Sequence, residues 1–158
     1  MIENLSTTQL AILSLLKAKN RKNIEYAPIP GVTHVVKELF ALKNTKLGNE
    51  LLDELNFEPD NFGPFDETVS AALEDLNAIG LIRVDTIGSS RQIQLTQKGR
   101  ELSDTIWDVL DDDVKGLVSY IKINFNNLST EGLLNKIYAL YPEMTVNSKS
   151  RVALKYRH

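Results

Sequence analysis

Apolar residues recur at helical spacing along most of the chain and change to a strand-like pattern in one short stretch. Ser6-Thr-Thr-Gln9 forms a capping box, in which the Ser6 hydroxyl accepts from the third helical amide and Gln9 reaches back. Leu10, Ile12, Leu13 and Leu16 then give an apolar stripe that fades at Asn20. A loop over 21–30 follows, because Pro28 and Pro30 forbid helix. Val32, Val35, Val36, Leu39 and Phe40 predict a second helix over 31–43, and Leu47, Leu51, Leu52 and Leu55 a short third one over 47–55.

The stretch 57–65, with Pro59, Gly63 and Pro64, reads as a loop. Asp66 caps a fourth helix that turns Val69, Ala72, Leu73 and Leu76 inward and ends at Gly80. Beyond Gly80 the period changes. Residues 81–86 and 91–96 are extended and joined by Ile87-Gly-Ser-Ser90, which has the residues of a hairpin turn. Thr96 caps a further helix through Leu110. Val114, Leu117, Val118, Ile121 and Phe125 predict another, and Ser129 caps a last one over 130–141 that Pro142 stops. Trp107, Tyr120, Tyr138 and Tyr141 fall among apolar residues at helical spacing and are assigned to the core.

The pattern predicts a mostly α fold with a small β-hairpin: a core over 1–110, a C-terminal helical extension over 111–142 and a basic tail over 143–158. Helices, a two-stranded ribbon, then a helix is the order of a winged helix-turn-helix. Leu73-Glu-Asp-Leu76, Gly80-Leu-Ile-Arg83, Arg91 and Ile93-Gln-Leu-Thr-Gln-Lys-Gly99 resemble the MarR and PadR regulators. Those families have a helix closing on Gly-Leu-Ile, a wing with an arginine on its returning strand, and Leu-Thr-x-Lys-Gly opening the next helix. Upstream, Gly31-Val-Thr-His-Val-Val-Lys-Glu-Leu-Phe40 with Phe62-Gly-Pro-Phe65 resembles the Panacea-type winged helices, which include antitoxins acting as proteolytic adaptors. Asp66 stands where that family usually has serine, and either residue can cap. The resemblance covers residues 31–103 and implies a fold more than a function, since winged helices serve as DNA readers, protein docks and scaffold.

Charge changes the functional picture. The formal net charge of the 158 residues is only −3, but it is unevenly placed. Between Leu47 and Ile82 stand Glu50, Asp53, Glu54, Glu58, Asp60, Asp66, Glu67, Glu74 and Asp75, with no Lys or Arg. In a DNA-reading winged helix the helix before the wing enters the major groove, and here that helix is acidic, so it would repel a duplex. Glu50, Asp53, Glu54, Glu67, Glu74 and Asp75 are therefore candidates for a protein-docking face. The alternative is a dimeric DNA-binding regulator, its helices over 114–127 and 130–141 pairing across a two-fold. It would use the wing (Arg83, Ser89, Ser90, Arg91) and two basic clusters: Lys17, Lys19, Arg21 and Lys22, then Lys149 and Arg151 in a tail that also carries Lys155 and Arg157.

Other chemistry finds little support. Cysteine is absent and the only histidines are His34 and His158, which removes thiolate and multi-histidine metal sites. His34 borders an apolar stripe and is expected to be structural. Asp104, Asp108, Asp111, Asp112 and Asp113 read as a solvated helix end rather than a nuclease site. Arg151 and His158 only loosely fit the Arg/His spacing of HEPN ribonucleases. No nucleophile–base pair, cofactor motif, signal peptide or membrane span is visible. The expectation is a cytoplasmic, non-enzymatic protein without metal or cofactor, working through a protein partner or self-association, with duplex DNA as the alternative.

Overall fold

The computed structural model describes residues 2–60, 63–147, 151–154 and 156. The first long helix, α1 (Thr7–Lys17), begins at the capping box: Gln9 N–H donates to the Ser6 hydroxyl at 3.1 Å and Ser6 N–H to the Gln9 side chain at 3.0 Å. With its first turn satisfied, α1 buries Ile12, Leu13, Leu15 and Leu16 completely. The loop behind it ends in Ile29, which exchanges two backbone hydrogen bonds with Ile93. Next come α2 (Val32–Lys43) and the short α3 (Lys46–Leu51), which Thr45 caps through Gly48 N–H.

The 57–65 stretch is not a plain loop. It contains β1 (Glu58–Asp60) and β2 (Gly63–Phe65), antiparallel with Pro59 opposite Pro64. The two prolines, which argue against a strand in sequence, face each other where an antiparallel pair exchanges no N–H bonds. Gly63, at φ 93°, closes the pair onto the core. A Cβ there would stand 3.2 Å from the Lys37 side chain and 3.4 Å from Leu134 and Tyr138.

Helix α4 (Glu67–Ala78) leads into the predicted hairpin of β3 (Ile82–Ile87) and β4 (Ser90–Leu95), registered from Ile82↔Leu95 to Ile87↔Ser90. Its two-residue turn begins at Gly88, whose φ of 63° suits a primed turn. Helix α5 (Gln97–Val109), capped by Thr96, packs directly behind the hairpin. A Cβ on Gly99 would fall 1.9 Å from the Leu81 carbonyl oxygen, so only glycine permits this approach.

Helices α6 (Asp112–Phe125) and α7 (Thr130–Leu140) follow, then a 3-10 turn (Pro142–Thr145) and α8 (Arg151–Leu154). One continuous core runs through all of this. Leu39, Phe40, Leu73, Leu76, Ile82 and Leu95 share it with Val118, Ile121, Phe125 and Leu133 of the C-terminal helices. The tail region joins it too, because Val152 and Ala153 of α8 are buried against α7. Helix α2 sits at the centre, against α1, α3, α4, α6, α7 and β2. Among the described residues the chain is therefore mostly helical, with eight α-helices and two small antiparallel strand pairs.

Some inward assignments fail. Val32 and Leu51 are exposed, and Tyr120 is 61% exposed on the outer side of α6. Val32 is the first residue of α2, and Leu51 the last of α3, which stops short of the predicted Leu55; Tyr120 sits one helical step from the buried Ile121.

Candidate interaction surface

Helix α4 presents three of the six acidic candidates, Glu67, Glu74 and Asp75. Asp66 starts it by accepting from Thr68 N–H at 2.9 Å, and its second oxygen accepts from Asn56 N–H at 2.6 Å. Val69, Ala72, Leu73 and Leu76 then face the core, which turns Glu67, Glu74, Asp75 and Asn77 to solvent. No Lys or Arg interrupts that face. At its start Glu58, Asp60, Asp66 and Glu67 converge with Asn56 and the half-exposed Phe65 on one polar cleft of about 420 Å³. At its other end Asp75 shares a cleft with Leu5, Gln9 and Ile79. Glu74 borders a more apolar groove with Val32, Leu73, Val84 and Ile93.

Glu50 on α3 and Asp53 just after it are likewise exposed. Glu54 has a structural task. Its carboxylate accepts from both the backbone N–H and the hydroxyl of Thr8, and so sits at the positive end of α1. The structure thus divides the six candidates into one helix-end anchor and five solvent-facing acids.

The basic candidates divide similarly. Lys17 is tied down: its ammonium meets Glu25, Asp104 at 3.0 Å and the Tyr26 hydroxyl, and lies 4.5 Å from the Tyr26 ring centre. Burial works against its charge, but the bonds from Glu25, Asp104 and Tyr26 outweigh that and hold its pKa above the usual lysine range. Asp104 is held below the ordinary carboxylate range, first by the Tyr26 hydroxyl and then by Lys17. Lys19, Arg21 and Lys22 stay exposed on a loop braced by Asn20, whose side-chain oxygen accepts from Lys22 and Ile24 N–H. On the hairpin Arg83 pairs with Asp85 at 3.1 Å. Ser89, Ser90 and Arg91 are exposed along a polar cleft whose other wall holds the first residues of α2 and α7. Arg151 opens α8, and Lys149 lies outside the described residues, as do Lys155 and Arg157.

Three charged groups that sequence reasoning passed over are buried around α2. Lys122 of α6 is fully buried and donates to the carbonyls of Leu15 at 2.5 Å and Ala27 at 2.8 Å, stapling α6 to α1 and its following loop. Burial pulls its pKa down to about 8, against the opposing effect of Glu38. Glu38, also fully buried, makes no hydrogen bond through either oxygen, and burial pushes it up to about 8. Lys37 donates to the Pro64 carbonyl at 3.0 Å and fastens β2 to α2; burial lowers it to about 8 while Asp60 opposes. His34 is buried as well. Burial lowers its pKa, and Nε2 carries the proton because its partner 2.7 Å away is the Leu128 carbonyl oxygen, which can only accept.

A signal for Lys122 exists in the sequence. It stands four residues after Val118 and three before Phe125, squarely on the apolar stripe. Lys37 and Glu38 carry a fainter one, lying between Val35-Val36 and Leu39-Phe40 in a helix buried on all sides from His34 to Leu42. All three groups are sealed in the interior, where a diffusing substrate has no access. Among the described residues no group of His, Asp or Glu is placed to hold a metal ion, and no helix is long and apolar enough to cross a membrane. Compared with known proteins, the chain matches no family model and no curated protein.

Proposed function

We propose that the chain is a cytoplasmic, non-enzymatic winged-helix protein, a regulatory or adaptor subunit of the kind the Panacea-type resemblance implies. It docks a protein partner through its acidic surface. The fold reading is supported by the order α1, α2, α4, hairpin, α5 and by the Ile29–Ile93 bridge, which adds a third edge to the β3–β4 ribbon. The observation that carries the function is the outer face of α4: Glu67, Glu74 and Asp75 exposed without a cation, continuous with the cleft where Glu58, Asp60 and Asp66 converge. A duplex laid there meets a row of carboxylates, with Lys98 held at the Ile79 carbonyl beyond the helix end, whereas a basic protein surface would be steered in and registered.

A second reading, duplex DNA held by the wing, is favoured by the exposure of Arg91, Ser89 and Ser90 beside a polar cleft. It has less to draw on, because Lys17 and Arg83 are already paired within the chain. The dimer it needs is also short of surface. The inward faces of α6 and α7 are spent on the chain's own core, which leaves Tyr120, Ile123 and Leu140 for a second copy.

Duplex binding by fluorescence anisotropy, alongside partner capture from the native host, separates the two. The expected result is DNA binding in the micromolar range or weaker, unselective and salt-sensitive, with partner capture reduced about tenfold by Glu74→Lys/Asp75→Lys. A nanomolar, sequence-selective complex weakened by Arg83→Ala and Arg91→Ala would overturn the docking reading.

A further inference from the structure

The cleft with the most apolar lining lies away from α4, where α1, α3 and the α5–α6 junction meet. It exists because α5 stops at Val109: Leu110 takes an extended backbone (ψ 143°) before Asp111 begins α6. The break leaves a groove floored by Leu10, Ala11, Leu52 and Leu110, with Leu51 and Val109 standing at its rim. Leu51 is 39% exposed and Val109 72%, so apolar surface remains in water that the chain does not itself cover. The groove's volume of about 240 Å³ falls below the roughly 300–1,000 Å³ usual for small-molecule sites and suits a few anchoring side chains.

Carboxylates outnumber cations around it. Glu50, Asp53 and Glu54 flank Leu51 and Leu52 on one wall, and the Glu54 carboxylate is pinned at Thr8, next to the groove-lining Thr7. Asp108, Asp111, Asp112 and Asp113 flank Val109 and Leu110 on the other. The first turn of α6 gives Asp112 and Asp113 a local reason through its dipole. Asp111 shares that dipole but makes no side-chain cap bond, and its residue lines the groove. The lysines of these walls do not neutralise the rim. Lys17 is paired with Glu25 and Asp104, which leaves Lys43, held by the carbonyls of Leu52 and Asn49, with Lys46 and Lys115 against seven carboxylates.

We propose that this groove docks a basic amphipathic helix of the partner protein, whose aliphatic anchors enter between Leu51 and Val109 while its Lys and Arg face the two acidic rims. An apolar slot between two acidic walls is the complement of a helix with an apolar stripe flanked by cations. The inference rests on the protein-docking reading and adds to it a site and a partner chemistry.

The test uses a short fluorescein-labelled Leu/Lys peptide with leucines at i, i+3, i+4 and i+7, and a scrambled peptide of the same composition. The patterned peptide should bind the full chain about tenfold tighter than the scramble, and Val109→Asp or Leu51→Asp should each weaken it about tenfold. The added carboxylate makes this decisive, since attraction by charge alone would tighten binding to a Lys-rich probe. Asp111→Lys/Asp112→Lys should weaken binding and flatten its salt dependence, and far-UV circular dichroism confirms that each variant folds. Equal binding of the two peptides, or undiminished binding to Val109→Asp, overturns the proposal. So does wild-type self-association abolished by Val109→Asp, because the occupant is then a second copy. If host-partner capture is lost in Glu74→Lys/Asp75→Lys but intact in Val109→Asp, the groove is wrong while the docking reading stands.

Discussion

Helices α2 and α4 are both twelve residues long, and both carry charge next to an apolar stripe, yet the fold uses them in opposite ways. Helix α2 is surrounded, so Lys37 and Glu38 are carried into the interior with Lys122 opposite. Each cation is held there by backbone carbonyls. Helix α4 is covered on one side only, so Glu67, Glu74 and Asp75 stay hydrated and unengaged. Ionisable groups in the first helix act on stability, and those in the second are free to act on a partner. Burial makes the difference, because desolvation costs an ion far more than a surface ion pair returns.

The sharpest way to break this comparison is Lys122→Ala. It strips the donors from the Leu15 and Ala27 carbonyls and opens a cavity. A loss of about 3–5 kcal/mol in chemical denaturation is expected, from two buried carbonyls left without a donor and from the cavity. A loss below about 1 kcal/mol would mean that α6 is not stapled to α1 through this lysine.

A smaller effect lies in the pH profile. Glu38 has a folded pKa of about 8 against 4.5 ordinarily, so the folded protein keeps a proton that the unfolded chain loses between those values. Its contribution is complete below about pH 4.5 and is lost as pH rises to about 8. Lys37 and Lys122 titrate near 8 when folded against 10.5 ordinarily, so there the unfolded chain binds more protons and stability returns between about pH 8 and 10.5. These three groups together give a stability minimum near pH 8. Glu38→Gln, which cannot ionise, should remove the descending limb. It should stabilise the protein by about 1–3 kcal/mol at pH 8 and leave it nearly unchanged at pH 5. Urea titrations across this range check the prediction, and an unaltered profile in Glu38→Gln refutes it.

The smallest expected effect belongs to α4. Glu74→Lys/Asp75→Lys should shift stability by no more than about 0.5 kcal/mol, since neither side chain has a structural partner among the described residues. A larger loss would show that the acidic face serves the fold after all.

Local chemistry was enough to read much of this protein from its sequence. The Ser6–Gln9 box, the Asp66, Thr96 and Ser129 caps and the hairpin turn at Gly88 are interactions between residues a few positions apart, and each stands where the sequence places it. The acidity of α4 and its outward direction are legible for the same reason, since the stripe of Val69, Ala72, Leu73 and Leu76 leaves one orientation for Glu74 and Asp75. Tertiary packing decided the rest. It paired Pro59 with Pro64, buried Val152 and Ala153, left Tyr120 in solvent, engaged Lys17 and Glu54 in structural contacts, and opened the groove between Leu51 and Val109. A helical stripe specifies one face, but the environment of every other face depends on neighbours distant in sequence. For that reason charge on α2 is buried, charge on α4 is exposed, and only the packed molecule separates the two.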